Sequence, residues 1–538
     1  MKKKTITKVV SAAALLGMGA LAVAEVETHP AVWVAPSLHR VGMTESAGSA
    51  TQANLWAARG EYESFQIVVN GAGAGLTNVN VKVSDLTGPD GDVIPKSAFT
   101  LYREKYVQVK GSSPNWKGSN QPLPPGWYAD ALIPFNDPNT GKPLSGAQLT
   151  AVPFDVKGGA NQPIWVDLQT PRTAKPGKYT GSYTVTSNQG EFTGQINLTL
   201  WNFTLPAAPT LKSAFLFFRS GDLASQKELL RNKISPLSTN PANQAELIKD
   251  FGLSTTQAGP FGGADIGHCG MSSAPSVEQF KALAKGQQPG LKLYDYSADE
   301  VGHCTNIYPV IKQWGRNMHE AGIKNLVTIS PIPALEDAGD GHSAVDIWVL
   351  LPVMYDHSKA EVEKVLKKGD EVWSYNTLVQ DAYSPKWEID FRPADFRIQP
   401  GFIDQSLGLT GLLYWRVDDW TGDPWNNVYA FSGSYPGEGA LVYPGKQVGV
   451  QGVVASMRLK WLRDGVEDYD YIQILKNQGQ GDFALDISRS VGRDWTNWTR
   501  DPEAIETARK KLGETIDYLS THPVAAGAPA AGSAPATH

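Results

Sequence analysis

The hydrophobic period of this chain changes once, across Leu205-Pro206-Ala207-Ala208-Pro209, and no single motif constrains its architecture as much. Before that stiff linker, from about Val32 to Leu205, apolar and polar residues alternate over short runs broken by Gly, Pro and Asn, the period of half-buried strands. In KPGKYTGSYTVTSNQGEFTGQINLTLWNF, Tyr179, Gly181, Tyr183 and Val185 share one face. Asn188-Gln189-Gly190 supplies a turn, and Phe192, Gly194, Ile196, Leu198 and Leu200 resume the alternation. The pattern predicts a hairpin with one buried face. Together with ESFQIVV, NVNVKVSDL and PIWVDLQT it predicts an antiparallel β-sandwich over 25–205, serving as a scaffold.

Beyond the linker, helix-like stretches (LASQKELLRNKI, SVEQFKALAKG, IYPVIKQWGRNMHEAG, KAEVEKVLKKG) alternate with short apolar runs (LKLYDYS, KNLVTIS, VDIWVLLPVMY, EVWSYNTL, GLLYWRV). Repeated strand then helix implies parallel strands joined by crossovers. With roughly 300 residues and close to eight such units, a (β/α)8 TIM-type barrel over 206–522 fits better than an open doubly wound sheet. No Gly-rich phosphate fingerprint follows these strands, which argues against a dinucleotide fold. A last helix is predicted over 504–519. The Ala/Pro/Gly-rich segment 523–538 cannot build a core and is expected to be a disordered tail.

The N-terminus joins MKKKTITK to an apolar stretch and the Ala22-Val23-Ala24 site. These are the three parts of a secretory signal over 1–24, so export to the periplasm or the extracellular space is expected, with cleavage before Glu25. The apolar segment is shorter than the ~20 residues a spanning helix needs, and no later run is long enough, so no stable membrane insertion is expected. Basic residues number 48 against 54 acidic, a net charge of −6, with no Lys/Arg-rich block after the leader. A nucleic-acid partner is therefore not expected. Nothing points to a cofactor or to an oligomeric state.

Cys269 and Cys304 are the only cysteines, and an exported chain leaves them free to pair, with two unpaired thiols as the alternative. A bridge would close a loop worth roughly 3 to 4 kcal/mol in the chain-entropy model. His268 and His303 each precede a cysteine, but neither pair has CxxC or HxxxH spacing, and no metal site is expected.

The chemistry concentrates on Asp299-Glu300, which closes the run LKLYDYSADE. Side chains at the C-terminal ends of barrel strands line the active site. Asp370-Glu371 repeats the dipeptide but stands before its strand, on the face associated with stability. Adjacent carboxylates suit glycosidic cleavage in which the substrate's own 2-acetamido oxygen is the nucleophile. Glu300 would be the acid/base, raised in pKa beside Asp299, and Asp299 would hold the acetamide N–H. The alternative is that Asp299 caps the following helix and Glu300 enriches its first turn with negative charge.

Sugar rings present apolar C–H patches that stack on aromatic faces, and the chain has 16 Trp and 19 Tyr. Tyr355, Tyr375, Asn376, Trp415, Asp418 and Trp420 fall where strands are expected to end and are the candidate substrate-binding residues, with core packing as the other reading for each aromatic. Asp418 or Asp419 could also serve with Glu300 in a different glycosidase. A carboxyl separation near ~5 Å would make that enzyme retaining, and ~6.5 to 9.5 Å inverting. A non-catalytic glycan-binding envelope protein is the reading outside enzymology.

ARGEYESFQIVV, YDYSADE, VDIWV, GDEVWSYN, GLLYWRVDDW, ALVYPG and SMRLKWLRDGVEDYDYIQIL resemble, in order and spacing, segments of glycoside hydrolase family 123, over about 33–475. The resemblance implies a sandwich followed by a (β/α)8 barrel. It also implies exo-β-N-acetylgalactosaminidase or hexosaminidase activity by substrate-assisted, retaining catalysis. The family's Asp-Glu pair falls on Asp299 as acetamide stabiliser and Glu300 as acid/base. Where the family usually continues with proline, this chain has Val301-Gly302-His303-Cys304, so the loop after the pair is expected to differ.

Overall fold

The computed structural model describes residues 31–429 and 433–522. The expected leader over 1–24 and tail over 523–538 lie outside the described residues.

The N-terminal part contains two main sheets. One holds Ala31–Pro36, Tyr62–Asn70, Asn161–Gln169, Phe99–Val109 and Gly126–Pro134 in that spatial order, each antiparallel to its neighbours. The main path of the other runs Gln52–Arg59, Gly190–Thr204, Gly177–Ser187, Leu76–Val83, Phe154–Val156. The predicted hairpin is its centre, and Tyr183 faces Gly194 across it. A Cβ on Gly194 would lie 2.2 Å from the Tyr183 ring, so the glycine leaves room for the aromatic to fold over it. Ile67 and Val166 of the first sheet share one apolar cluster with Val81, Val185 and Leu198 of the second. One pairing departs from the antiparallel expectation, because Gln52–Arg59 runs parallel to Gly190–Thr204.

The second part is a nearly closed sheet of seven parallel strands, in the order Lys212–Phe215, Gly411–Tyr414, Glu371–Tyr375, Ile347–Leu350, Lys324–Thr328, Lys292–Asp299, Thr255–Gln257. Seven strands form this sheet, against the eight expected. Between the two end strands runs Ser235-Pro236-Leu237. Phe215 N–H donates to the Ser235 carbonyl at 3.0 Å, Leu237 N–H to Phe215 at 2.8 Å, and Gln257 N–H to Leu237 at 2.9 Å. Only Pro236 makes a bridge there, and its missing N–H keeps the segment from growing into a ladder. Tyr294, Leu326, Ile347, Val349, Trp373, Tyr375 and Leu413, from five of the strands, form one inner cluster. Among the described residues no helix is long and apolar enough to cross a membrane.

The run RLKWLRDGVEDYDY forms most of the helix Met457–Asn477, which is buried on nearly every side despite its charge. Its cations reach carboxylates of the N-terminal sheets. Arg458 grips Asp130 at 2.8 and 3.0 Å, Arg463 binds Asp167 at 3.0 Å, and Lys460 pairs with Asp167 at 2.9 Å. Tyr471 donates to Glu61 at 2.5 Å, and Arg509, on the helix Pro502–Thr521, pairs with Glu61 and Glu63 at 2.6 and 2.7 Å. Burial by itself pushes the Asp167 carboxyl up, but Arg463 and Lys460 outweigh it and hold the group well below the usual carboxylate range. Removing one partner of such a pair leaves an uncompensated buried charge. Arg463→Met is therefore expected to destabilise the protein by about 3 to 5 kcal/mol in urea unfolding. A loss under about 1 kcal/mol, the range of exposed pairs, would contradict the assignment.

Candidate active site

The strand Lys292–Asp299 is not regular. Tyr296 pairs with Leu326 and Ala298 with Val327, so Ser297 is an extra residue, and its hydroxyl donates to Asn325 Oδ1 at 2.5 Å. Simple alternation would put Tyr294, Tyr296 and Ala298 on one face. The bulge moves Ala298 into the outer cluster and turns Asp299 to the side of Tyr296.

The Thr328 hydroxyl, at the end of the neighbouring strand, organises the pair. It donates to Asp299 Oδ1 at 2.5 Å and accepts the Glu300 N–H at 2.8 Å. Tyr296 donates to the same Oδ1 at 2.6 Å. Glu300 adopts a left-handed backbone, φ 50°, which costs a residue with a Cβ roughly 1 to 2 kcal/mol. Its carboxylate oxygen Oε1 accepts the Tyr375 hydroxyl at 2.5 Å. Burial first, and the Asp299 charge second, raise the Glu300 pKa above the ordinary carboxylate value, against the opposing hydrogen bond from Tyr375. Helix capping does not describe Asp299: its side chain accepts from Tyr296 and Thr328, and the next helical turn, Thr305–Ile307, begins after Cys304.

Glu300 opens onto a cleft of about 480 Å³ lined also by Ile266, His303, Thr328, Met354 and Gln380. A disulfide joins Cys269 and Cys304, Cα–Cα 5.2 Å, and ties the loop bearing Ile266 to the loop bearing His303. Asn306 adds a 3.0 Å hydrogen bond to the Cys269 carbonyl. Cys269, His303 and Cys304 lie close enough to suggest a metal site, but with both sulfurs in the disulfide the thiolates zinc would need are gone.

The other predicted residues separate. Tyr375 belongs to the cleft through Glu300. Tyr355 is not at a strand end: the strand stops at Leu350, Pro352 begins the helix Pro352–His357, and the ring packs edge-on to Trp495 at 6.2 Å. The Asn376 amide donates to the Pro385 carbonyl at 2.8 Å and to Gln399 at 3.1 Å, and Trp420 donates to the Val442 carbonyl at 3.0 Å. Asp418 accepts from the Phe218, Arg219 and Ser220 amides and the Ser220 hydroxyl, so both its oxygens are engaged, and Asp419 pairs with Arg416. Trp415 donates to Glu438, which also accepts from Thr377 at 3.0 Å. Asp370 accepts from Ser343 and Trp348, and Glu371 pairs with Lys292 at the opposite ends of these strands. Tyr296, Thr328, Gln380 and Glu438 escaped the sequence reading. Only Tyr296 carried a signal, through its place in YDYSADE.

A family model described as the glycoside hydrolase 123 N-terminal domain matches residues 40–187, and one described as the glycoside hydrolase 123 catalytic domain matches residues 316–475. Together they span more than half of the chain. The chain belongs to glycoside hydrolase family 123. It is a glycoside hydrolase, and its substrates are glycans. A family 123 glycoside hydrolase from Clostridium perfringens, described for glycolipid glycan hydrolysis, has a similar fold: TM-score 0.64 at 14% identity, over 91% of this chain and 100% of that one. A Parabacteroides merdae β-glucuronidase overlaps with a TM-score of only 0.25 at 10% identity, over 76% of this chain and 49% of that one, too little to argue from. No protein of curated function matches the sequence. The catalytic-domain match begins beyond Asp299 and Glu300, so their assignment rests on the geometry above.

Because Tyr375 lowers the Glu300 pKa by donating to it, Tyr375→Phe is expected to move the Glu300 titration to higher pH, followed by carbon-13 NMR of labelled glutamate. An unmoved or lowered titration would contradict this contact.

Proposed function

We propose that this family 123 hydrolase is an exported exo-acting β-N-acetylhexosaminidase, with N-acetylgalactosamine the favoured sugar, working by substrate assistance with retention of configuration. The observation that carries the reading is the division of labour in the adjacent pair. Both hydrogen bonds to Asp299 go to Oδ1, which leaves Oδ2 for the acetamide N–H, while Glu300 has a raised pKa and faces the cleft. In this fold reading the two N-terminal sheets are a β-sandwich, and Ser235–Leu237 takes the eighth place of a (β/α)8 barrel.

In the first step the acetamide carbonyl oxygen attacks the anomeric carbon as the glycosidic C–O bond breaks. Glu300 gives its proton to the departing oxygen. Asp299 accepts the acetamide N–H and stabilises the positive charge that the oxazolinium ring acquires. In the second step water adds to the anomeric carbon from the face the leaving group vacated, Glu300 takes its proton, and the ring reopens to the acetamide. Two inversions give retention. A raised pKa suits Glu300 because it must hold a proton in one step and accept one in the next. Asp418 and Asp419 are poor rivals as nucleophiles, since the first has both oxygens taken and the second is paired with Arg416.

Purified protein is expected to release the aryl group from aryl 2-acetamido-2-deoxy-β-glycosides and not from the matching glycosides that lack the acetamide. Glu300→Gln should lose about 10² to 10⁴ in kcat while unfolding at the parent's urea midpoint. Cleavage of the glycosides without the acetamide, and none of those with it, would overturn the mechanism.

A further inference from the structure

The N-terminal part also reaches the segment that borders the cleft. Trp116 is 65% exposed, yet its ring is held at one edge, because its indole N–H donates to the Val379 carbonyl at 3.1 Å. The next residue, Gln380, lines the cleft with Glu300. The loop that carries Trp116 is fastened to the barrel at several points. Asn120 N–H donates to the Ala382 carbonyl at 3.0 Å, the Asn120 amide to the Ser384 carbonyl at 2.9 Å, and the Ser113 hydroxyl to Asp390 at 2.8 Å. Gly118 permits this contact, since a Cβ there would lie 2.1 Å from the Ala382 carbonyl oxygen. Two other exposed apolar side chains lie near the acidic pair: Ile266 lines the cleft, and Phe261 packs edge-on to Tyr296 at 6.2 Å.

We propose that Trp116 is a stacking platform for the sugar on the leaving-group side of the scissile bond, so that the N-terminal part completes the substrate site. A lone exposed aromatic needs no explanation. One that is clamped by its polar edge beside a catalytic cleft offers a large, rigid face whose ordering cost has already been met by folding. A pyranose ring, with an apolar C–H patch, is the occupant such a face suits, and the Trp116 bond to Val379, the chain neighbour of Gln380 in the cleft lining, sets that face beside the cleft, where the next ring of the glycan would lie. This inference rests on the reading of the Glu300 cleft as the active site.

The test compares a disaccharide with the methyl glycoside of the same terminal sugar. The methyl group is too small to reach Trp116, so the ratio of the two kcat/KM values isolates the second sugar. In Trp116→Ala the ratio is expected to fall about tenfold, mainly through KM of the disaccharide, and Trp116→Phe should restore most of it. An unchanged ratio in Trp116→Ala, or no restoration by phenylalanine, beside the expected loss of kcat in Glu300→Gln overturns the subsite alone. A Glu300→Gln variant that cleaves both glycosides at the parent's rate overturns the cleft as active site and the subsite with it.

Discussion

The pairing of Arg463 and Lys460 with Asp167 is the contact on which the rest of the molecule depends, because it places charge in the interior and binds the two parts of the chain together. Asp167 belongs to a strand of the N-terminal five-stranded sheet, and both cations come from the helix Met457–Asn477 near the end of the chain. A buried ion loses much of its hydration, so the arrangement is stable only when every partner is present. The surroundings meet that condition: Ser64 and the Trp165 indole also donate to Asp167, at 2.7 Å each. Arg458 with Asp130 and Arg509 with Glu61 and Glu63 repeat the device on either side. Hydrophobic contact alone would allow the sheets to slide over the barrel, whereas directional bonds between fixed partners fix one relative placement.

That placement matters to the chemistry. The loop with Trp116 can fasten to residues 379–390 only if the five-stranded sheet holds its position against the barrel. On the barrel side, a bulge, a threonine and a disulfide build the cleft. The bulge at Ser297 turns Asp299 inward, Thr328 joins both members of the pair, and Cys269–Cys304 ties two walls together. The left-handed backbone at Glu300 is a local cost borne at the point where the carboxyl must reach Tyr375.

The sequence reveals features that repeat over many residues. The hairpin around Asn188-Gln189-Gly190, the alternation of strand and helix after Pro209, and the position of Asp299-Glu300 at a strand's end can all be read from period and order. The number of barrel strands cannot, because Lys212–Phe215 and Thr255–Gln257 are too short to show a period and Pro236 reduces the remaining segment to one bridge. The inward turn of Asp299 is likewise hidden, since LKLYDYSAD taken as a regular strand points Ala298 at the interior. Asn376 directly follows its strand and Asp418 lies four residues past one, but partners in other segments, Pro385 and Gln399 for the first and Phe218 to Ser220 for the second, consume their polar groups. Charge on the helix Met457–Asn477 reads as a solvated face until its partners, some 300 residues upstream, are known.

The central claim is that Asp299 holds an acetamide while Glu300 moves the proton, and a crystal structure of the protein with an acetamido-thiazoline form of N-acetylgalactosamine tests it most directly. The account predicts the thiazoline nitrogen within hydrogen-bond distance of Asp299 Oδ2, with the Glu300 carboxyl beside the position of the departing oxygen. A thiazoline nitrogen that meets no carboxylate, or one that meets Asp418 or Asp419 instead, would contradict it.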